Sequence, residues 1–306
     1  MIRFLWAFGV SLLAIPLAGS IPSFAQGYLE PLSLVRLTAD GHFKQRPAWS
    51  PDGKWLAFAR HQGAKIELYL RAGDGSMEKR LTDGADPEFD AVFSPDGKRL
   101  AFALDKASPN QGDMEVYTIG LDGKDLKPVA TGQGKLSHEE SPAWSPDGKW
   151  IAWTSTRDGN QELYYSAPDG SNVKRVTSDP GIDAHPSWSP DSKKIAFATE
   201  RWGDLEIAVY NLEGETLTRL TASDGLDDYP AWSPDGKQIA FTSNRDRNLE
   251  IYTMSADGGD IWNLTQDPSI DNFPSWHPDG RLTLVSNRGG GFDIYLSETP
   301  VGTEPE

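Results

Sequence analysis

Hydrophobic and polar positions recur along this chain in a block that is repeated six times. Each block places an apolar or aromatic residue before Ser-Pro-Asp-Gly-Lys or a close variant, and a short apolar run follows. The proline of the Pro-Asp pair falls at Pro51, Pro95, Pro146, Pro190, Pro234 and Pro278. Successive copies are therefore 44, 51, 44, 44 and 44 residues apart. A period of about 44 residues is typical of a four-stranded propeller blade.

Each repeat predicts four short strands. In the first copy, Ala48–Ser50 and Trp55–Phe58 predict the first two strands. Between them, Pro51–Gly53 supplies the fixed φ, the local hydrogen bond and the positive φ of a tight turn. Apolar residues alternate along Glu67–Leu70, as in a pleated third strand. The fourth strand ends in the Arg-Leu-Thr motif at Arg80–Thr82.

The two ends of the chain complement each other. One fourth strand, Leu34–Thr38, precedes the first repeat, whereas no fourth strand follows Phe292–Leu296 in the last repeat. The N-terminal strand would complete the C-terminal blade and remove the open edge. The sequence therefore predicts an all-β fold, a six-bladed β-propeller of four-stranded antiparallel blades closed in this way.

The aromatic residue of the repeat is predicted to pack between neighbouring sheets. It is tryptophan in five copies, at Trp49, Trp144, Trp188, Trp232 and Trp276. The aspartates of the Ser-Pro-Asp-Gly turns are interpreted as structural as well, so they are not counted as catalytic residues.

The N-terminal residues predict export. Arg3 is followed by the apolar stretch Phe4–Leu17 and by small residues around Ala25, which is the pattern of a cleaved signal peptide. That stretch is 14 residues long and is interrupted by Gly9 and Pro16, short of the about 20 residues of a membrane-spanning helix. A retained anchor is the alternative. The predicted organisation is a signal peptide (1–25), a short leader (26–33), the propeller (34–298) and a C-terminal tail (299–306).

Composition narrows the partners. After signal cleavage the chain carries 28 basic and 45 acidic residues, a formal net charge of −17. Binding to nucleic acid needs a basic face, so nucleic acid is not expected as a partner. The chain has no cysteine, and its core alone must stabilise the fold outside the cytoplasm. No stable membrane insertion is expected after cleavage.

The Pro-Asp-rich, WD40-like repeats resemble the propeller of the TolB family, the periplasmic component of the Tol-Pal envelope system. The resemblance covers roughly Leu34 to Leu296, and only Gln26–Ser33 separates the cleavage site from the first strand. The α/β domain that precedes the propeller in that family is therefore not matched. In the family the propeller docks the peptidoglycan-associated lipoprotein. The resemblance thus implies a periplasmic, non-catalytic binding propeller that acts as a monomer and binds an envelope protein.

Two sets of positions are predicted to surround one mouth of the central channel. Seven residues before each Pro-Asp proline, the loop entering the first strand carries Lys44, Glu88, Glu139, Asp183, Asp227 and Asp271. Two positions further on, the residues differ from blade to blade and are Arg46, Asp90, Ser141, His185, Tyr229 and Phe273. Variable loops on a regular scaffold are where binding sites are usually found. The predicted binding site therefore contains the five acids together with His185, Tyr229 and Phe273.

The loops between strands two and three add arginines on the same face. These are Arg60, Arg157, Arg201, Arg245 and Arg288. In one interpretation they pair with the acids and connect neighbouring blades. In the other, the acids bind a cationic peptide, a protein loop or a Ca²⁺ ion, and Arg157, Arg201, Arg245 and Arg288 belong to the binding surface. No other cofactor is expected.

Repeat two differs from the rest by additional residues. They fall in Asp105–Gly112 and in the longer connection Thr131–His138. Insertions in repeat proteins map to loops, often on the binding face, and a simple surface elaboration is the alternative.

An enzymatic function has less support. The chain has no Gly-x-Ser-x-Gly motif, and its five histidines follow no metal-ligand spacing. Similar repeats occur in oligogalacturonate lyases and prolyl-oligopeptidase-like enzymes, so a polyuronide lyase that uses a histidine, an arginine and carboxylates at the channel mouth is the best enzymatic alternative. His185 and His138 are the candidates for its base. A glycan- or Ca²⁺-binding propeller outside the Tol-Pal system is a third hypothesis.

Overall fold

The computed structural model describes residues 31–106, 114–132 and 137–302. The predicted signal peptide lies outside the described residues, as do positions 107–112 and 133–136 of the two segments that distinguish repeat two. The described residues form 24 strands and no helix. No helix long and apolar enough to cross a membrane is found among them.

The strands form six sheets of four, one sheet for each blade. Blade one contains β2 (Lys44–Trp49), β3 (Trp55–Gln62), β4 (Lys65–Ala72) and β5 (Glu78–Arg80). Blade two contains β6 (Glu88–Phe93), β7 (Arg99–Asp105), β8 (Met114–Gly120) and β9 (Lys127–Ala130). Blade three contains β10 (Glu139–Trp144), β11 (Ile151–Ser155), β12 (Glu162–Ser166) and β13 (Lys174–Arg175).

The second half of the ring repeats this order. Blade four contains β14 (Asp183–Trp188), β15 (Lys194–Thr199), β16 (Glu206–Asn211) and β17 (Thr216–Arg219). Blade five contains β18 (Asp227–Trp232), β19 (Gln238–Ser243), β20 (Glu250–Ser255) and β21 (Trp262–Asn263). Blade six contains β22 (Asp271–Trp276), β23 (Leu282–Ser286), β24 (Asp293–Ser297) and β1 (Leu34–Arg36).

The predicted ring closure is confirmed. β1 pairs antiparallel with β24, and Leu34 lies opposite Ser297 while Arg36 lies opposite Tyr295. The register also shows on which face the two chain ends lie, because Ser297 is the last residue of β24 and lies at the end of the strand remote from the β23–β24 hairpin. Both ends of the described chain therefore leave the ring on the face opposite that hairpin.

The Pro-Asp-Gly turns are stabilised by the hydrogen bonds that their sequence predicts. In blade one, Ser50 Oγ donates to Asp52 Oδ1 over 2.7 Å, and the Lys54 amide donates to the same oxygen. The hydrogen bond from Ser50 and the one from the Lys54 amide lower the pKa of the Asp52 carboxyl. Gly53 has a φ of 68°, in the left-handed region that glycine adopts without strain. These aspartates shape the turn between the first two strands.

The repeated tryptophan packs between neighbouring sheets, as the pattern predicts. Trp188 of blade four is 5% exposed and lies in a cluster with Ala143, Ala152 and Leu163 of blade three. Its indole Nε1 donates to the Ala143 carbonyl over 3.0 Å. One side chain therefore supplies both apolar contact and a hydrogen bond across the blade interface.

Blade one departs from the other blades at the first residue of its inner strand. Lys44 stands where the other five blades have an acid, and its side chain is fully buried. Lys44 Nζ lies 2.6 Å from Asp293 Oδ1 in blade six, and it also contacts Asp40. Burial disfavours the charge of Asp293, but hydrogen bonds from Lys44, Arg36 and Thr38 outweigh that effect and lower its pKa. An ion pair thus joins the first and last blades.

We expect Trp188→Ala to lower the free energy of unfolding by about 3–5 kcal/mol, since a large aromatic side chain is removed from a packed interface. Chemical denaturation followed by circular dichroism measures the change. Trp202→Ala is the matched control, because Trp202 is 39% exposed. An unchanged midpoint for Trp188→Ala would contradict the packing role.

Lys44→Met should cost about 3 kcal/mol, the low end for breaking a buried pair, because Asp293 keeps Arg36 and Thr38. The lowered pKa of Asp293 also predicts a pH dependence of the stability. The ionised carboxylate stabilises the fold above the unfolded-state pKa, about 3.9, and this contribution disappears as pH falls through the lower folded-state value.

The midpoint of urea unfolding measured between pH 3 and pH 7 checks this expectation. In Lys44→Met the folded-state pKa of Asp293 should lie closer to its unfolded value, so the variant should lose less stability on acidification than the wild type does. Lys237→Met removes an exposed lysine and serves as the control. Equal stability of Lys44→Met and Lys237→Met at pH 7 would show that the pair does not stabilise the ring.

Candidate functional site

The inner strands of all six blades surround an axial channel. It contains a cavity of about 280 Å³ lined by segments of the six inner strands. The strands run from one face of the propeller to the other, so each begins at the same rim of the channel. We call the six residues third in each inner strand the mouth ring. They are Arg46, Asp90, Ser141, His185, Tyr229 and Phe273.

Every residue of the mouth ring adopts a left-handed backbone conformation. The φ values lie between 45° for Arg46 and 57° for Asp90 and Phe273, and none of the six residues is glycine. Each coincides with a shift in the register between the first and second strands of its blade. Such a β-bulge redirects a side chain, and a left-handed non-glycine residue costs about 1–3 kcal/mol. Six copies of this strain make the mouth a candidate functional surface.

One half of the mouth ring is polar. Asp90 Oδ2 lies 3.2 Å from Arg46 Nη1 and accepts a 3.2 Å hydrogen bond from Ser141 Oγ. Asp90 Oδ1 accepts from Gln45 Nε2 over 3.2 Å. The Asp90 carboxylate thus joins three successive blades.

The other half is aromatic. The rings of His185 and Tyr229 stack with centroids 3.9 Å apart, and Tyr229 meets Phe273 edge-on at 4.7 Å. The Arg46 guanidinium lies 5.7 Å from the centroid of the Tyr229 ring. Burial in this cluster raises the pKa of the Tyr229 hydroxyl, so it stays protonated.

The residues just before the ring add two carboxylates that the sequence analysis did not single out. His185 Nδ1 lies 2.6 Å from Asp228 Oδ1, the oxygen that also accepts from the Tyr229 amide. Glu140 accepts from Gln161 Nε2 over 2.6 Å. Burial, and then the charge of Asp90, raises the pKa of Glu140. The sequence signal for these two carboxylates is the pair of adjacent acids in Glu139-Glu140 and in Asp227-Asp228. A bulge directs the two side chains of each pair to different environments.

The five predicted acids lie elsewhere. Glu88, Glu139, Asp183, Asp227 and Asp271 are the first residues of inner strands, not loop residues, and are at most 5% exposed. None of them lines the cavity. Four pair with the predicted arginines of their own blade, which are Arg157 with Glu139, Arg201 with Asp183, Arg245 with Asp227 and Arg288 with Asp271.

These ion pairs explain the structural role of the arginines. The N···O distances range from 2.8 Å for Arg245–Asp227 to 3.2 Å for Arg157–Glu139. They connect strands within one blade, whereas the sequence interpretation had them joining neighbouring blades. Burial nevertheless raises the pKa of Asp183, although hydrogen bonds from Thr199 and Thr177 oppose it. Thr177 follows the fourth strand of blade three, so this threonine connects Asp183 to the neighbouring blade. Arg157 also makes a contact between blades, because its Nη2 donates to the Thr131 carbonyl after the fourth strand of blade two over 3.4 Å.

Glu88 has a different environment from the other four acids. It accepts from Thr82 and from the Leu68 amide, both of blade one. Burial raises its pKa, and these hydrogen bonds oppose the change only in part. The loop between the second and third strands of blade two, residues 106–113, contains no arginine in the sequence.

The remaining chemistry of the described residues is limited. They contain no group of three or more histidine, aspartate or glutamate side chains that could hold a metal ion. His138 contributes its backbone amide to a hydrogen bond with Thr156. His277 packs edge-on against Trp49 at 4.6 Å, next to the turns of the opposite face. Of the two histidines proposed as a base, His185 is the one in the mouth ring.

A family model of the TolB β-propeller domain matches residues 135–229 and 223–304, more than half of the chain. The chain belongs to this family. The match begins in blade three and extends to blade six, so the mouth-ring residues His185, Tyr229 and Phe273 lie within TolB-type repeats.

Curated relatives agree with this assignment. The chain is 38% identical over 85 residues to the Tol-Pal system protein TolB of Syntrophus aciditrophicus, covering 26% of this chain and 17% of the relative. It is 32% identical over 131 residues to a TolB homolog of Chlorobium luteolum, covering 43% and 28%. An uncharacterized protein of Agrobacterium fabrum is 32% identical over 129 residues, covering 42% and 41%. Each match thus spans less than half of the relative.

Solved structures share the fold. TolB from Acinetobacter baumannii superposes with a TM-score of 0.63 at 24% identity, over 86% of this chain and 65% of that one. An oligogalacturonate lyase from Vibrio parahaemolyticus superposes with a TM-score of 0.60 at 15% identity, over 89% and 95%. At these identities the likeness concerns architecture alone.

Proposed function

We propose that this TolB-type propeller is an exported, non-catalytic binding module that docks an envelope protein on the face around its mouth ring. The observation that carries the proposal is the strained ring itself: six bulged positions hold six side chains of different chemistry above one channel. A regular scaffold that presents varied side chains at one rim is suited to recognition.

The charge at the mouth favours a partner segment with a cationic group. Asp90, Asp228 and Glu140 lie at or beside the ring, and Arg46 is a described cation that offsets this charge, 3.2 Å from Asp90. Burial and the charge of Asp90 raise the pKa of Glu140, and a nearby cation would offset both effects. The aromatic rings of Tyr229 and Phe273 supply the apolar anchor that interfaces commonly need.

The TolB relatives support the Tol-Pal system as the setting. One of them is a Tol-Pal system protein by name, and we propose that the partner is a peptidoglycan-associated lipoprotein. The buried acids Asp183, Asp227 and Asp271 would then act indirectly, by holding the strands that carry the ring.

A pull-down from detergent-solubilised envelope tests the proposal. Wild-type protein is expected to recover the lipoprotein, and Glu140→Lys should reduce recovery at least tenfold by placing a cation at the acidic rim. Glu213→Lys is the matched control, because Glu213 lies in a hairpin on the opposite face and is exposed. Buried acids such as Asp227 are unsuitable for charge reversal, since unfolding would mimic lost binding.

Equal recovery by Glu140→Lys and Glu213→Lys would place the partner elsewhere. Recovery of no lipoprotein by the wild type would remove the Tol-Pal assignment. Circular dichroism and the melting temperature of each variant show whether the fold is retained.

A second candidate, a polyuronide lyase, is favoured by the pair His185–Asp228. A carboxylate 2.6 Å from Nδ1 orients the imidazole so that Nε2 can accept a proton. In a β-elimination, His185 would take the proton α to the uronate carboxyl, the C–O bond at the β carbon would break, and Glu140, whose pKa is raised, would protonate the leaving oxygen.

The ultraviolet absorbance of the unsaturated product formed from polygalacturonate tests this candidate, because elimination produces this absorbance and hydrolysis does not. Activity that is present in the wild type and absent in His185→Ala would support the lyase. Activity that persists in His185→Ala, or is absent from the wild type, would exclude this mechanism.

A further inference from the structure

The exposed apolar side chains of the mouth face lie on one side of the channel. On this face, the described residues with large, exposed hydrophobic side chains are Ile182, Trp202 and Ile270. Ile182 and Ile270 directly precede β14 and β22, and Trp202 lies in the β15–β16 hairpin, so all three belong to blades four and six. Blades four to six also carry the aromatic half of the mouth ring. We call this part of the face the apolar sector; it comprises Ile182, Trp202, Ile270, His185, Tyr229 and Phe273.

The backbone that carries the aliphatic residues of this face is held by hydrogen bonds. In blade five the half-buried Leu226 occupies the position that Ile270 has in blade six. The Leu226 amide donates to Asn244 Oδ1 over 2.8 Å, and the Ile270 amide donates to Asn287 Oδ1 over 2.9 Å. Each asparagine follows the second strand of the same blade. A partner that covers these side chains therefore does not have to order the loop beneath them.

Trp202 is a departure from the repeat. In blades three and five the same hairpin position holds an aspartate that accepts a hydrogen bond from a third-strand tyrosine, as Asp158 does from Tyr164. In blade four the two positions hold Trp202 and Ala208. The blade can be built with the aspartate, as its neighbours show, so the exposed indole is not a requirement of the fold. An exposed tryptophan on a candidate binding face is suited to recognition.

The indole of Trp202 is already oriented by its neighbours. The Arg219 guanidinium lies 4.8 Å from the centroid of the Trp202 ring, and that of Arg201 lies 5.9 Å from it. Both arginines are themselves held, because Arg219 donates to Glu206 Oε1 over 2.9 Å and Arg201 lies 3.1 Å from Asp183 Oδ2. A side chain that is fixed before binding loses little conformational freedom when a partner covers it.

We propose that the partner docks through an amphipathic segment that crosses the channel opening. Its apolar side chains cover the apolar sector, with Trp202 as the principal anchor, and its cationic group lies at the acidic rim beside Asp90 and Glu140. These two carboxylates belong to blades two and three, which stand across the ring from blades five and six. The inference rests on the docking function proposed above and specifies the chemistry of the partner. Tryptophan is enriched among the residues that dominate protein interfaces.

Calorimetric titration of the propeller with the purified, lipid-free domain of the peptidoglycan-associated lipoprotein tests the proposal. Trp202→Ala should weaken binding at least tenfold, because an oriented aromatic anchor is lost. Ile270→Ser should weaken it several-fold, since it removes apolar area without adding charge. Ile261→Ser is the matched control, because Ile261 is 37% exposed against 38% for Ile270 but lies in the β20–β21 hairpin of the opposite face. It should leave the affinity unchanged.

The salt dependence of the affinity separates the apolar contact from the ionic one. Salt screens exposed charges but not apolar contacts, so Trp202→Ala should keep the salt dependence of the wild type. Glu140→Lys should weaken binding and also reduce that dependence, because the attraction at the acidic rim is lost. Trp202→Phe keeps an aromatic ring and should retain most of the affinity. The melting temperature of each variant reports its fold.

The proposal is overturned if folded Trp202→Ala and Ile270→Ser bind as the wild type does, or if Ile261→Ser loses as much affinity as Ile270→Ser. Weakened binding in Glu140→Lys alone would retain docking at the mouth ring and remove the amphipathic partner segment. Absence of binding by the wild type would remove the docking of this lipoprotein and, with it, the inference drawn from that docking.

Discussion

A buried ionic residue at the start of every inner strand is the constraint on which this propeller depends. In four blades an aspartate or glutamate is held by an arginine from the hairpin of the same blade. Removing such a charge from water is costly, so it persists only where ion pairs and hydrogen bonds compensate it. In blade one the sign is reversed, and Lys44 pairs with Asp293 of blade six. The seam of the ring is therefore chemically distinct from the five other interfaces.

The anchored residue and the mouth ring lie only two positions apart, yet their roles differ. The acid secures the strand to its blade, and the bulge that follows places the next side chains above the channel. The ring position follows the same anchor in each blade but holds a different side chain, and Phe273 there also belongs to the buried core. This arrangement accounts for an arginine, an aspartate, a serine, a histidine, a tyrosine and a phenylalanine at equivalent positions of one ring.

Much of the architecture was predictable because the repeat carries its turns and packing residues with it. Pro-Asp-Gly and Trp188 have local roles that are the same in each blade, and the unmatched strand Leu34–Thr38 indicated the closure. The environment of the acids was not predictable in the same way. Whether Asp227 lies in solvent or inside the blade depends on an arginine, Arg245, brought beside it by a hairpin. The alternation of side chains between the two faces of a strand also fails at a bulge. The sequence pattern therefore did not predict that Asp228 lies beside the mouth ring.

The register of the closing strand determines how the molecule can be attached to something else. Since Leu34 lies opposite Ser297, both ends of the described chain emerge on the face remote from the mouth ring. A tag, linker or surface joined at either end would thus leave the face of the mouth ring directed outward and unobstructed. Immobilised through one end, the propeller would present the opening of its channel to molecules in the surrounding solution.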